Sequence, residues 1–262
     1  MNWTVPDERM TSAQRKLKRG VEHVDRLRKE VKAYEEAGAY VFSDERTFRS
    51  SNEAEYRCFA TQEKGMPSHW PLLAGEAIQN LRSALDHLVY EKSGGKRSTQ
   101  FPIFTEQSNF EDKAPGRLKG VPDDVKAKIE EVQPFRAMPD AAVHDPLAQL
   151  SSFSNLDKHR VLATIVSAVT REGVGIPDGV KLTWVDPATN KRLGSGRTQI
   201  STFTALSEGE IEAVTVEPMF SYEVRIEMSS VGTLAWIGNH VYRVMAEIDT
   251  GEPLSMFAPY PL

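Results

Sequence analysis

The hydrophobic periodicity of this chain changes once, and that change limits what it can fold into. Up to about residue 172 the apolar residues recur mostly at intervals of three or four, the spacing that lines one face of a helix. After Gly173 they alternate, as in Lys181-Leu-Thr-Trp-Val185 and Thr198 to Leu206, the spacing of strands buried on one side. Helices and strands are therefore grouped in blocks, which points to an α+β chain. The expected architecture is an antiparallel helical bundle with a β-hairpin near the N-terminus and a C-terminal antiparallel β-meander, followed by a final helix. The expected division is a mainly helical body over 1–172, with the hairpin inserted at 39–61, and the meander plus last helix over 173–262.

The first helix is expected from Thr11 to Glu36. Leu17, Val21, Val24, Leu27, Val31 and Tyr34 form a narrow apolar stripe among dense charge, and Gly38 suits its end. At about three heptads with Gly20 inside, the stripe fits packing within one chain better than a coiled coil. Two strand-like runs, Ala39–Thr47 and Glu55–Thr61, flank the turn-forming Arg49-Ser50-Ser51-Asn52. The clearest helix spans Trp70–Lys92, with Pro71 in its first turn and Gly94-Gly95 behind it; Ala74, Ile78, Leu81, Leu85 and Leu88 share its core face.

Phe101-Pro-Ile-Phe104 reads as a short extended apolar plug, and Val121–Val132 as a short helix with Pro122 in its first turn. Another helix should start at Asp145-Pro146. Its apolar positions, Leu147 through Val169, change phase near Ser154-Asn155, which predicts a break there and a second helical segment capped by one of those two residues. Strands are expected at Ile211–Glu217 and Phe220–Met228 as well. A last helix over Val231–Ile248, capped by Ser229 or Ser230, precedes an apolar, proline-rich tail expected to pack on the body.

Charge narrows the choice of partner only a little. The net charge is −5, so any surface for a polyanion has to be local. The basic runs Arg15-Lys-Leu-Lys-Arg19 and Arg26-Leu-Arg-Lys29 are offset by neighbouring acids and read as a solvated helix face. Cys58 is the only cysteine, which removes a disulfide framework and a cysteine zinc cluster and fits a reducing compartment. The opening residues lack a secretory apolar core and no segment approaches the roughly 20 apolar residues of a membrane span, so the expected location is cytoplasmic, with no membrane partner.

Two polar clusters could carry chemistry. In Asn80-Leu-Arg-Ser-Ala-Leu-Asp-His87, Arg82 and Asp86 stand one turn apart and read as an ion pair, while Asn80 and His87 fall on the opposite border of the apolar face. In Asn155-Leu-Asp-Lys-His-Arg160, a helix beginning at Ser154 would put Asp157 at its third position as a capping residue. His159 would then turn toward the core near a positive helix end, which favours the neutral imidazole. A neutral His159 beside Asp157 and Arg160 could serve as a general base or an anion site. The same residues serve equally as a buried polar network between helices.

Arg82-Ser-Ala-Leu-Asp-His87 resembles the Arg-x4-His motif of HEPN domains, helical bundles that are often metal-independent ribonucleases. The resemblance covers one helix. It implies Arg82 as the group that stabilises the phosphate and His87 as the acid or base; Asn80, Asp86, Asp157, His159 and Arg160 are the supporting candidates that the two polar clusters themselves offer. It also implies RNA as partner, a homodimer that completes the cleft, and no cofactor. Ser83 and the long β-rich part depart from the minimal HEPN pattern. Asn80-Leu-Arg-x-x-Leu-Asp-His87 together with Asp157-Lys-His-Arg160 also resembles a group of bacterial proteins, a likeness that implies no activity.

A metal would need Asp86, His87, Asp157 and His159 to converge, and neither HExxH nor ExxH spacing is present, so no metal is expected. Gly173-Val-Gly175 and Gly194-Ser-Gly196 lack the spacing of a phosphate loop, and no small-molecule cofactor is expected. Two functional readings follow. One is an RNA-binding or RNA-cleaving HEPN-like protein; the other is a non-catalytic scaffold or binding module with a structural Asp/His/Arg network.

Overall fold

A computed structural model describes residues 9–159, 165–226 and 229–250. The first helix, α1 (Ser12–Glu36), buries the stripe read from the sequence, from Leu17 to Tyr34, and Gly38 ends it in the left-handed region at φ 63°. The hairpin β1 (Tyr40–Phe48) and β2 (Glu53–Gln62) pairs in the register Tyr40↔Gln62 to Phe48↔Ala54. The next helix, α2 (Trp70–Lys92), takes Pro71 in its first turn and ends at Ser93, followed by Gly94 and Gly95 with positive φ. Short helices follow: α3 (Gln107–Arg117), α4 (Asp123–Glu131) and α5 (Pro134–Ala137), with Pro122 immediately before α4 rather than inside its first turn. The Asp145 carboxylate accepts the Leu147 N–H at 2.7 Å and starts α6 (Pro146–His159).

The C-terminal half contains β3 (Ile165–Gly175), β4 (Val180–Asp186), β5 (Arg192–Leu193), β6 (Arg197–Ser207), β7 (Glu217–Ile226), β8 (Ser229–Ser230) and α7 (Val231–Thr250). The α+β class and the final helix are as expected. The strands do not follow one another as a meander. They form two four-stranded antiparallel sheets, ordered β1-β2-β6-β4 and β5-β3-β7-β8, so β6 returns to the N-terminal hairpin. Alternation tells a strand which face to bury and leaves its neighbours to be chosen by packing.

The described residues divide into two interleaved units, not at residue 172. One unit takes residues 1–28, 69–163 and 231–262, and so contains most of α1, all of α2 to α6, and α7. In it α2 packs on α6 and α7, and α6 packs on α7. The other takes 29–68 and 164–230 and contains both sheets. There Tyr40 meets Tyr222 edge-on at 5.0 Å and Phe42 meets Phe220 at 5.4 Å, joining the two sheets through β1 and β7.

Three expectations are corrected. There is no break at Ser154-Asn155: α6 runs unbroken to His159. The expected second helical segment is strand from Ile165 onward, where β-branched Ile165, Val166 and Val169 pair with β7. Ile211 to Ala213 is a 3₁₀ turn instead of a strand, its Ile211 fully buried and bonded through its N–H to the Ser51 carbonyl. Ser229 and Ser230 pair with Ile226 and Arg225, and Ser230 stands immediately before Val231, the first residue of α7. The apolar tail, 251–262, and Leu162 lie outside the described residues.

The position that most tightly constrains the helical unit is Gly20. A Cβ there would stand 2.9 Å from the Leu81 side chain and 3.1 Å from its backbone nitrogen, so α1 and α2 approach as closely as they do only because the side chain is absent. Gly20→Ala is therefore expected to destabilise by roughly 1–3 kcal/mol through overpacking, despite the better helix propensity of alanine. Thermal or urea denaturation checks this, and a neutral or stabilising result would contradict the close approach.

Candidate functional site

Arg82 sits on the border of the apolar face of α2, where the helix packs under the chain that follows Gly95. Its side chain is 9% exposed. A guanidinium that far from water needs partners, and Nη2 supplies two bonds: to Asp86 Oδ1 at 3.0 Å and to the Phe101 carbonyl at 2.6 Å. The same Asp86 oxygen accepts the Phe101 N–H at 3.0 Å, so the intrahelical ion pair read from the sequence also holds both backbone groups of Phe101. Three residues on, fully buried Gln133 accepts the Phe104 N–H at 3.0 Å and donates to the Pro102 carbonyl at 2.9 Å. The Phe101–Phe104 plug is thus pinned at both ends, with Phe101 fully buried. Burial pulls the Arg82 pKa down, Asp86 opposes that, and the charge of Arg117 adds to the lowering; the guanidinium stays a cation.

Arg82 also forms part of the wall of a cleft of about 330 Å³. The extended segment contributes Gln100, Ile103 and Phe104, the end of α3 contributes Arg117, and α6 contributes Ser151, Ser154 and Asn155. The three α6 residues are spaced i, i+3 and i+4 and so share one face, which the unbroken course of the helix makes possible. Arg117 lies over the Phe104 ring at 4.9 Å, half-buried, in a cation–π contact that aims its charge along the cleft wall. Among the described residues, no carboxylate belongs to this lining. Ser154 is 2% exposed, and its hydroxyl has no hydrogen-bond partner among the described residues.

The other sequence candidates lie elsewhere. His87 is half-buried and hydrogen-bonds through Nδ1 with the Ser12 hydroxyl, on the flank of α2 that faces α1. Asn80 donates to the Glu76 carbonyl at 2.8 Å and accepts from Lys16 Nζ at 3.4 Å on the same flank. Neither lines the cleft. Asp157 and His159 fall in the last turn of α6, so the expected capping role of Asp157 and the positive helix end beside His159 are placed at the wrong terminus. Their side chains, and Arg160 altogether, lie outside the described residues. Among the described residues, no group of three or more His, Cys, Asp or Glu side chains could hold a metal ion.

Sequence reasoning missed Arg117, Gln100, Gln133 and Ser151, and it read Ser154 as a helix cap. Arg117 ends a charged, glycine-containing stretch with no periodic signal, and a glutamine or serine announces nothing until its neighbours are known. It also passed over His240 on α7, whose Nε2 is buried without a partner and whose Nδ1 meets Arg243 Nη2 at 3.1 Å. No protein family, curated protein or solved structure matches the chain.

Two outcomes follow from this geometry. Asp86→Ala strands the Arg82 cation and the Phe101 N–H together and is expected to cost roughly 3–5 kcal/mol, the penalty for breaking a buried ion pair. His87→Ala removes a contact that water can replace and should cost less than about 1 kcal/mol; equal losses in denaturant titrations would contradict the clamp. His240 carries a pH signature. Burial, then the Arg243 charge, pushes its pKa from 6.5 down to about 4. The unfolded chain therefore binds the extra proton first as pH falls. Stability should be full above pH 6.5 and drop by about 3 kcal/mol by pH 4, a slope that His240→Gln should remove from urea titrations across that window.

Proposed function

We propose that the helical unit is a binding module for an anionic ligand, taken up in the cleft between Arg82 and Arg117. One observation carries this reading: two guanidinium groups face one cleft in whose lining, among the described residues, no carboxylate stands, and Nε and Nη1 of the deeper one make no hydrogen bond to those residues. Those nitrogens carry N–H donors only, since arginine has no acceptor. The two like charges oppose each other across a partly desolvated space. A bound anion relieves that repulsion and gives the open donors an acceptor, through charge-assisted hydrogen bonds that are stronger than neutral ones.

RNA is the anionic ligand that the HEPN resemblance implies. Arg82 would then hold a phosphate, and His87, on the other flank of α2, would have to reach it from a second copy of the chain for cleavage to occur. The binding reading does not depend on that step.

Calorimetric titration with inorganic phosphate, sulfate, acetate and a single-stranded oligoribonucleotide at low ionic strength tests it. Saturable binding of at least one of these, weakened about tenfold or more in Arg117→Ala, is the expected result. Arg117 is suited to the test because it is half-buried at a helix end and makes no ion pair among the described residues. Absence of binding by every anion, or binding unchanged in Arg117→Ala, would sink the proposal. The same samples, incubated with RNA and a chelator beside His87→Ala, decide whether binding is followed by metal-independent cleavage.

A further inference from the structure

Ser154 stands where a serine hydroxyl normally has an easy partner. In the middle of a helix it bonds back to the carbonyl one turn earlier or points into water. Here the residue is 2% exposed and its Oγ makes no hydrogen bond among the described residues, while the residue lines the same cleft as the two arginines. Leaving a buried hydroxyl unpaired lowers the stability of the free protein, and alanine at this position would remove that cost and favour the helix as well.

Polar groups come to the cleft from separate walls. Arg82 comes from α2, Arg117 from the end of α3, and Ser154 from α6. A carboxylate offers two oxygens whose lone pairs lie in one plane, whereas a phosphate monoester offers three terminal oxygens pointing in three directions. At about 330 Å³ the space is at the lower end of clefts that hold small molecules, roughly 300–1,000 Å³, and has room for more than an inorganic ion. Beside the charged groups, Gln100, Ser151 and Asn155 offer amide and hydroxyl groups suited to a polyol body.

We infer that the cleft takes a small phosphate monoester with a polar body, its phosphate held by Arg82, Arg117 and the Ser154 hydroxyl. The inference rests on the anion-binding reading above and adds to it the ligand class and the third donor. Ser154 is a specificity-determining residue: it distinguishes tetrahedral from planar anions, and the free protein gives up some stability to keep it.

The test compares two probes of similar skeleton, glycerol 3-phosphate and glycerate, by calorimetry against the unmodified protein, Ser154→Ala and Arg117→Ala, with the melting temperature of each. The expected result is tighter binding of glycerol 3-phosphate than of glycerate. Ser154→Ala should weaken the phosphate ester about tenfold, leave glycerate unchanged, and melt at the same temperature as the unmodified protein or higher. Arg117→Ala should weaken both. Equal affinity for the two probes, an unchanged affinity in Ser154→Ala, or a lower melting temperature for that variant would overturn the inference while leaving anion binding intact. If neither these probes nor the anions named above bind, the anion-binding reading falls with it.

Discussion

Burying the guanidinium of Arg82 sets the terms for everything around it. A cation taken out of water has to be met by acceptors in fixed places, because the penalty for leaving it unmet exceeds what most single contacts contribute. Asp86 supplies one acceptor from the same helix, and the carbonyl of Phe101 supplies another from a segment with no secondary structure of its own. Since Asp86 also takes the Phe101 N–H, the ion pair orders the backbone of the segment as well as balancing charge. Gln133 does the same work at the far end, so an extended stretch that no helix or sheet supports runs a defined course beneath α2.

That course makes the cleft. Gln100, Ile103 and Phe104 stand in its wall because Phe101 is held, and Arg117 is steadied over the ring of Phe104. On the other side, the continuous α6 presents Ser151, Ser154 and Asn155 as a single polar face. A polar cleft with cationic walls is thus set into a unit whose core, formed by α1, α2, α6 and α7, is otherwise apolar and close enough that Gly20 cannot carry a methyl group. The cleft brings together two like charges and one of the buried hydroxyls that have no hydrogen-bond partner among the described residues.

How much of this could be read beforehand depended on whether the signal was periodic. The stripe of α1, the core face of α2, the hairpin and the final helix were all legible, since a side chain's face follows from its position in the chain. The cap at Asp145 was legible for the same reason, its partner being two residues away. The break at Ser154 was a misreading of one genuine fact, a shift of apolar phase. The phase shifted because the later residues belong to a strand, and a sequence window spanning both elements blends their periods. Arg82 and Asp86 were rightly paired as helix neighbours, yet the consequence of the pair lay in Phe101, which stands fifteen residues from Asp86.

The sequence by itself determined the α+β class, the faces that helices and strands must bury, and the adjacency of Arg82 to Asp86, because all of these follow from spacing along one backbone. Only the tertiary structure decided that β6 returns to the N-terminal hairpin, that Arg82 shares a cleft with Arg117 and Ser154, and that His87 turns instead toward Ser12. Those outcomes depend on which surfaces meet, and the choice is made by packing and by the need of buried polar groups for partners, which are far apart in the chain and carry no local signature.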